Sequence, residues 1–198
     1  VTASLGARNI MTGPLQALAS EEIKKKALAE IVSGRKGGAL AITEPSGGSD
    51  VANMATRAIR DGDDYVLNGS KTFITGGLHA SYFVVGARTG GEGLEGISLF
   101  FVEASAPGFS RESVGPKMGW WSSDTATLHF DDCRVPATHM LGEEGQVGAD
   151  EHRPEVQLSG PFGVHAACHL GQVEVDACED GEDGTERHHI VEVRHDVV

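Results

Sequence analysis

The sequence predicts a mainly β protein. A small antiparallel β-barrel or sandwich is expected over residues 37–142. A short helical segment (1–36) precedes it, and an acidic, poorly structured tail (143–198) follows. Three observations carry this. Seven short runs of β-forming residues recur: "GALAIT", "ATRAIR", "DYVLNG", "SKTFIT", "SYFVVGAR", "GISLFFVEA" and "ATLHFDDCRV". Turn chemistry punctuates them at Asp61-Gly62, Asn68-Gly69, Gly76-Gly77, Gly90-Gly91 and Pro107-Gly108. No stretch between them has a helical period, which leaves closure or stacking of one sheet as the way to bury their apolar faces.

The helical segment comes first. Ser20 is a good N-cap, and Glu21 and Glu22 stand where the helix dipole favours negative charge. Ile23, Ala27, Leu28, Ile31 and Val32 then fall on one face, and Ser33-Gly34 ends the run. Upstream, "SLGARNIMTGPLQALA" holds one or two short helical pieces around Gly13-Pro14. These helices are too few to bury their own apolar faces, so they are expected to pack on another element.

In the β region, "ITEPSGGSD" (42–50) follows an apolar run. Pro45 stops a strand ladder and biases Glu44 toward extended backbone. Gly47 and Gly48 allow close backbone approach to a flat ligand, and Thr43 and Ser49 offer hydroxyls on either side of the turn. In "NGSKTFITGG", Asn68-Gly69 reads as a hairpin turn. Phe73 and Thr75 then share one side of a strand, an aromatic beside a hydroxyl. Spacing alone favours a plainer reading, with an ordinary strand exit in the first stretch and Phe73 in the core in the second. Trp120-Trp121 reads as turn and core packing, and His129 as a strand-surface residue.

The tail differs in composition. Residues 147–198 carry twelve Asp/Glu, three Lys/Arg and six of the nine histidines of a chain whose net charge is −13. "GQVEVDA" and "HHIVEVRHDVV" alternate and offer a hairpin, but weak structure is the simpler expectation. His165 and His169, and His188-His189 beside Glu186 and Glu192, invite a metal reading. Neither HExxH nor paired-cysteine spacing occurs, so an incidental histidine-rich tail is expected and no metal site. The acid run 179–183 reads as a solvated loop. The acidic balance argues against a general nucleic-acid surface. No apolar run reaches the ~18 residues of a membrane helix, so no membrane insertion is expected. Three cysteines without CxxC fit a reducing compartment rather than a disulfide framework.

Taken together and in order, the two β-region stretches resemble the acyl-CoA dehydrogenase family of flavoproteins. The matching pieces are Thr43-Glu44-Pro45, Gly48-Ser49-Asp50, Asn68-Gly69, Lys71 and Phe73-Ile74-Thr75. "SEEIKKKALAEIVSGRKGGALAITEP" resembles the helix leading into that family's middle domain. "PGFSRESVGPKMGWWSSDTATLHFDDCRVPATHMLGEEGQ" resembles the domain's end. The resemblance covers residues 1 to about 146. It implies FAD as cofactor, held by Leu40, Ala41, Ile42, Thr43 and Ser49 on one segment and Phe73, Ile74 and Thr75 on the other. Thr43 is implied at the polar edge of the flavin ring, and Phe73, which stands where some members have Trp, against the ring system. Ser49 is implied to be shared with the acyl-CoA substrate. Gly76 replaces the usual Asn, a departure expected to loosen the following turn.

The implied activity is α,β-dehydrogenation of acyl-CoA thioesters in fatty-acid or branched-chain catabolism. A carboxylate removes the α-proton and the β-hydride passes to flavin. The resemblance further implies an electron-transfer flavoprotein as acceptor, a homo-oligomer (tetramer or dimer), and a bacterial-type cytoplasmic location or, alternatively, the mitochondrial matrix. Glu44 is not the implied base. The family's base is a glutamate of a C-terminal helical domain, which residues 147–198 do not resemble, so no catalytic residue is expected in this chain. A flavin- or acyl-CoA-binding module without catalysis, an inactive remnant, and an acyl-CoA oxidase remain the alternative functions.

Overall fold

The computed structural model describes residues 2–145 and the backbone of two further strands, 164–169 and 172–177. These lie in two compact units divided after Glu151. In the first unit, helix α1 (Thr2–Leu18) is continuous through Pro14. Ser20 caps the next helical stretch, with its hydroxyl accepting from Ile23 N at 3.4 Å. That stretch begins as α2 (Glu21–Ile23), widens into a π turn (Lys24–Leu28) and closes as α3 (Ala29–Val32). The π turn sets the buried period at four residues, through Ile23, Ala27 and Ile31. Val32, expected on that face, is carried off it and is 78% exposed.

Eight strands follow: β1 (Gly38–Ala41), β2 (Arg57–Asp61), β3 (Asp64–Thr75), β4 (Tyr82–Arg88), β5 (Ile97–Glu103), β6 (Phe109–Ser113), β7 (Thr125–Pro136) and β8 (Met140–Leu141). They form one sheet in the order β6-β7-β3-β2-β4-β5-β8, and β1 also pairs with β4. Most neighbours are antiparallel. The β1–β4 ladder and the single β2–β4 pair, Arg57 with Arg88, are parallel.

Two apolar clusters share this sheet. Ala39, Leu67, Phe83, Val85, Phe100 and Leu128 belong to the interior of the β domain. Tyr82, Val84 and Phe101 face the other way and meet Met11, Leu15, Ile23, Ala27 and Ile31 of the helices. Alternation along β4 therefore feeds both faces, which makes it buried almost throughout. The helices thus find in the β domain the partner that their apolar faces require. They approach closely: a Cβ on Gly38 would lie 2.2 Å from Met11 Sδ. Cys133 is a buried free thiol, and its burial pushes the pKa up to about 11.

Asn68-Gly69 is not a hairpin turn. The two runs expected on either side of it are one twelve-residue strand, β3, paired with β7 along its whole length. Leu67 faces Cys133 and Gly69 faces Phe130, so β7 carries an extra residue there. Asn68 spans the bulge: its Nδ2 donates to Asp132 Oδ1 at 3.0 Å, and its Oδ1 accepts from Asp132 N at 2.9 Å. Gly69 is required by close approach, since a Cβ would fall 2.6 Å from Thr56 Oγ1. Strand β6 was not among the expected runs.

In the second unit, β9 (Val164–His169) and β10 (Gln172–Ala177) pair antiparallel, with Gln172 opposite His169 and Ala177 opposite Val164. "GQVEVDA" is thus a strand paired with the segment before it, and "HHIVEVRHDVV" is the other piece offered for a hairpin. That second piece, the 179–183 acid run and His188-His189 lie outside the described residues. No helix among the described residues is long and apolar enough to cross a membrane.

Candidate functional site

The site is built where β1 runs out and β3 is irregular. Past Ala41 the chain turns tightly: Glu44 N donates to Gly47 O at 3.0 Å and Gly47 N to Glu44 O at 3.1 Å. Opposite this turn, β3 breaks register with β7. Lys71 pairs with Leu128 and Ile74 with Ala126, so β3 carries one extra residue between them. The extra residue frees Thr72 N from the ladder, and it donates instead to Thr43 O at 2.9 Å. Phe73 takes a left-handed backbone, φ 57°, rare and strained for an aromatic residue. Its ring is 67% exposed, so the expectation of a core aromatic fails. A strained main chain that holds a large apolar ring in solvent is the local signature of a ligand surface.

A buried ion pair ties the two segments. Lys71 has no exposed surface, and its Nζ donates to Glu44 Oε1 at 2.9 Å and to Ile42 O at 3.1 Å. Glu44 also accepts from Ala55 N at 2.7 Å and Thr56 N at 2.8 Å. Burial by itself would raise the Glu44 carboxyl pKa. The hydrogen bonds from Thr56, Lys71 and Ala55 outweigh it and hold the carboxyl down at about 2. Burial pushes the Lys71 ammonium down to about 8, against the pull of Glu44. Both groups are therefore charged at neutral pH.

The eight expected contact residues separate by environment. Ala41 and Ile74 are buried in the β interior, and Leu40 packs against the helix-side cluster. For Ala41 and Ile74, only main-chain groups remain for a ligand, while Leu40 is half-buried. Ile42 and Thr43 are half-buried, and both carbonyls are already engaged by Lys71 and Thr72. Ser49, Phe73 and Thr75 are exposed.

Thr75 opens onto a cleft of about 440 Å³, lined also by Lys117, Met118, Trp120, Ser123 and Thr125. Trp120 and Trp121 are 74% and 84% exposed, so the core packing expected of them does not occur. Lys117 Nζ donates to Thr125 Oγ1 at 3.1 Å and to Ser123 O, which folds this loop over the end of β7. Gly76 has φ 75°, which Gly and Asn both tolerate. The turn it begins is pinned: Gly76 N donates to Asp124 O at 3.0 Å and Leu78 N to Asp124 Oδ2 at 2.7 Å. His129 sits on the strand surface beside Glu112, at 3.2 Å.

Sequence reasoning missed Lys71, Thr72 and the 117–123 loop as parts of this site. The available signal was a lysine and a glutamate each set among residues destined for burial, a combination that requires a partner.

Residues 39–133 match the family described as acyl-CoA dehydrogenase, middle domain. The chain is 42% identical over 146 residues to a mitochondrial isobutyryl-CoA dehydrogenase of Dictyostelium discoideum, covering 73% of this chain and 35% of that protein. A crystal structure of a probable acyl-CoA dehydrogenase from Mycobacterium abscessus superposes with a TM-score of 0.71 at 43% identity, over 73% of this chain and 39% of the other. A glutaryl-CoA dehydrogenase of Mycobacterium smegmatis, solved with FADH2, does so with a TM-score of 0.63 at 37% identity, over 67% and 34%. The chain thus spans about a third of the length of the relatives it matches.

Proposed function

Because the chain belongs to the acyl-CoA dehydrogenase family through its middle domain, we propose that it forms the flavin-facing wall of an FAD-dependent acyl-CoA dehydrogenase. The observation that carries this is Phe73, a solvent-facing ring on left-handed backbone beside the turn of Thr43. The donor set fits a flavin. An aromatic face at Phe73 covers ring surface, and hydroxyls at Thr43, Ser49 and Thr75 meet polar atoms around it. When bound, FAD supplies the hydride acceptor for oxidation of the CH–CH bond next to a thioester carbonyl.

The chain's own residues hold and orient. Thr43 is bonded through its carbonyl to Thr72, next to Phe73, and Thr75 follows two residues on. Ser49 stands on the exposed turn, where an acyl-CoA lying against the flavin would reach it. Glu44 is excluded as the general base. Its carboxyl titrates near 2 and its oxygens already accept from Lys71, Ala55 and Thr56. The family reading places the base outside the described residues. The same reading makes residues 1–36 the close of a helical domain and 37–142 the middle domain. It takes acyl-CoA as substrate, an electron-transfer flavoprotein as acceptor and a homo-oligomer as the assembly.

Titrating the chain with FAD and then with a panel of acyl-CoA thioesters tests this. A yellow protein whose flavin absorbance survives the thioesters is expected. Failure to bind FAD removes the flavin reading, and bleaching by an acyl-CoA overturns the placement of the base.

A further inference from the structure

We infer that the buried Glu44–Lys71 pair is a positioning clamp. It makes the Thr43–Ser49 turn and the Thr72–Phe73 bulge one mechanical unit while taking no part in the chemistry. The inference deepens the flavin reading above and rests on it for the ligand.

Three consecutive residues of one segment are each fastened to one of two consecutive residues of the other. Ile42 O and Glu44 Oε1 accept from Lys71 Nζ, at 3.1 and 2.9 Å, and Thr43 O accepts from Thr72 N at 2.9 Å. Two of these fastenings end at Lys71 and one at Thr72, the two residues before Phe73, where the β3–β7 ladder is interrupted. Strained backbone persists only where its surroundings over-determine it. At Phe73 the ladder supplies no such support, and the clamp does. Glu44 then reaches the far side of the loop. Its carboxylate accepts from Ala55 N and Thr56 N, so one side chain closes residues 45–54, with Ser49 among them, into a ring. Thr56 in turn lies under Gly69, where a Cβ would meet it at 2.6 Å, which fixes the loop end against β3 a second time. The groups facing the pair are thus the Ile42 carbonyl, the amides of Ala55 and Thr56 and the Ser46 hydroxyl, which donates to Glu44 Oε2 at 3.5 Å, and among the described residues no further charged side chain bonds to it. Lys71 is fully buried, and Glu44 is 5% exposed at the edge of a small cavity lined also by Ser46, Ala55 and Thr56, so the pair acts on a ligand at the Phe73 face by holding Thr43, Ser49 and Phe73 in place.

The test compares the 198-residue chain with the double variant Glu44→Gln/Lys71→Met, which removes both charges at similar volume. Replacing a buried pair as a unit tends to preserve folding. Amide exchange without cofactor is expected to quicken at least tenfold in residues 43–56 and 72–76 together, with β4 and β5 unchanged. FAD is expected to bind at least tenfold more weakly, and the visible circular dichroism of the bound flavin to change. Wild-type exchange in either segment, or loosening spread over the whole domain, overturns the clamp. So does unchanged FAD affinity alongside loosened segments. If even the wild-type chain binds no FAD, the flavin reading falls, and the exchange arm still decides the clamp. Should the variant not fold, native-state exchange of the wild type in rising denaturant decides it. Residues 43–56 and 72–75 must open as one unit with one opening equilibrium, and separate openings overturn the inference.

Discussion

Strands β4 and β3 stand in one sheet and obey opposite rules. β4 is regular, with all residues from Tyr82 to Ala87 buried, and its alternation feeds two apolar clusters. β3 is broken twice in register, carries a fully buried lysine and holds an aromatic in solvent on left-handed backbone. The difference separates stability from function. A strand that only packs has no reason to depart from the pleat. One that departs from it twice, and supports the departure with a buried ion pair, is serving something outside the fold.

This contrast can be broken most forcefully at Phe83, on β4. Phe83→Ala should cost about 3–5 kcal/mol of unfolding free energy, the range for a fully buried aromatic. At temperatures where the variant is folded, flavin affinity should stay near wild type. Denaturant midpoints and FAD titration measure the two, and a large affinity loss with little destabilisation would erase the distinction between the strands.

Acid sharpens it next. The folded Glu44 carboxyl, held at about 2, lies below its unfolded value of 4.5. The contribution of Glu44 is therefore fully present above about pH 4.5 and is lost as pH falls toward 2, on the order of 3 kcal/mol from this group, while Lys71 stays protonated throughout that window. Glu44→Gln should flatten that part of the stability–pH curve, and an unchanged curve would show that Glu44 is not held as described.

The smallest effect is the most diagnostic. Phe73→Ala should change stability by less than about 0.5 kcal/mol, because the ring is exposed. It should weaken FAD binding by about 0.5–1.5 kcal/mol of lost stacking. Wild-type flavin affinity in this variant would detach Phe73 from the site.

How far the sequence could be read follows from where each residue's partners lie. Runs such as "SYFVVGAR" and "GISLFFVEA" announce strands because burial on either face demands apolar residues in a row. "FSRES" does not. As β6 it is an edge strand held by backbone pairing with β7, and its side chains face largely outward. Asn68-Gly69 carries the strongest hairpin signature in the chain. Its use in a bulge depends on Asp132, sixty-four residues away. Val32 fits a 3.6 period and loses its place because the preceding turn is π. The exposed tryptophans contradict composition-based expectation: Lys117 ties the ends of their loop to Ser123 and Thr125, and both rings stay in solvent.

By itself, then, the sequence determined the mainly β class, the helical lead-in with its Ser20 cap, and the two stretches that carry the family resemblance. Each depends on neighbours in the chain: on period, on turn chemistry and on the order of a few residues. Tertiary structure decided the rest. Lys71 meets Glu44 across twenty-seven positions, Phe73 is turned outward by an extra residue counted against β7, and Thr72 exchanges its ladder partner for Thr43. Such pairings are set by register between distant strands, and register emerges only when the whole sheet has found the arrangement that buries its apolar faces and satisfies its charges.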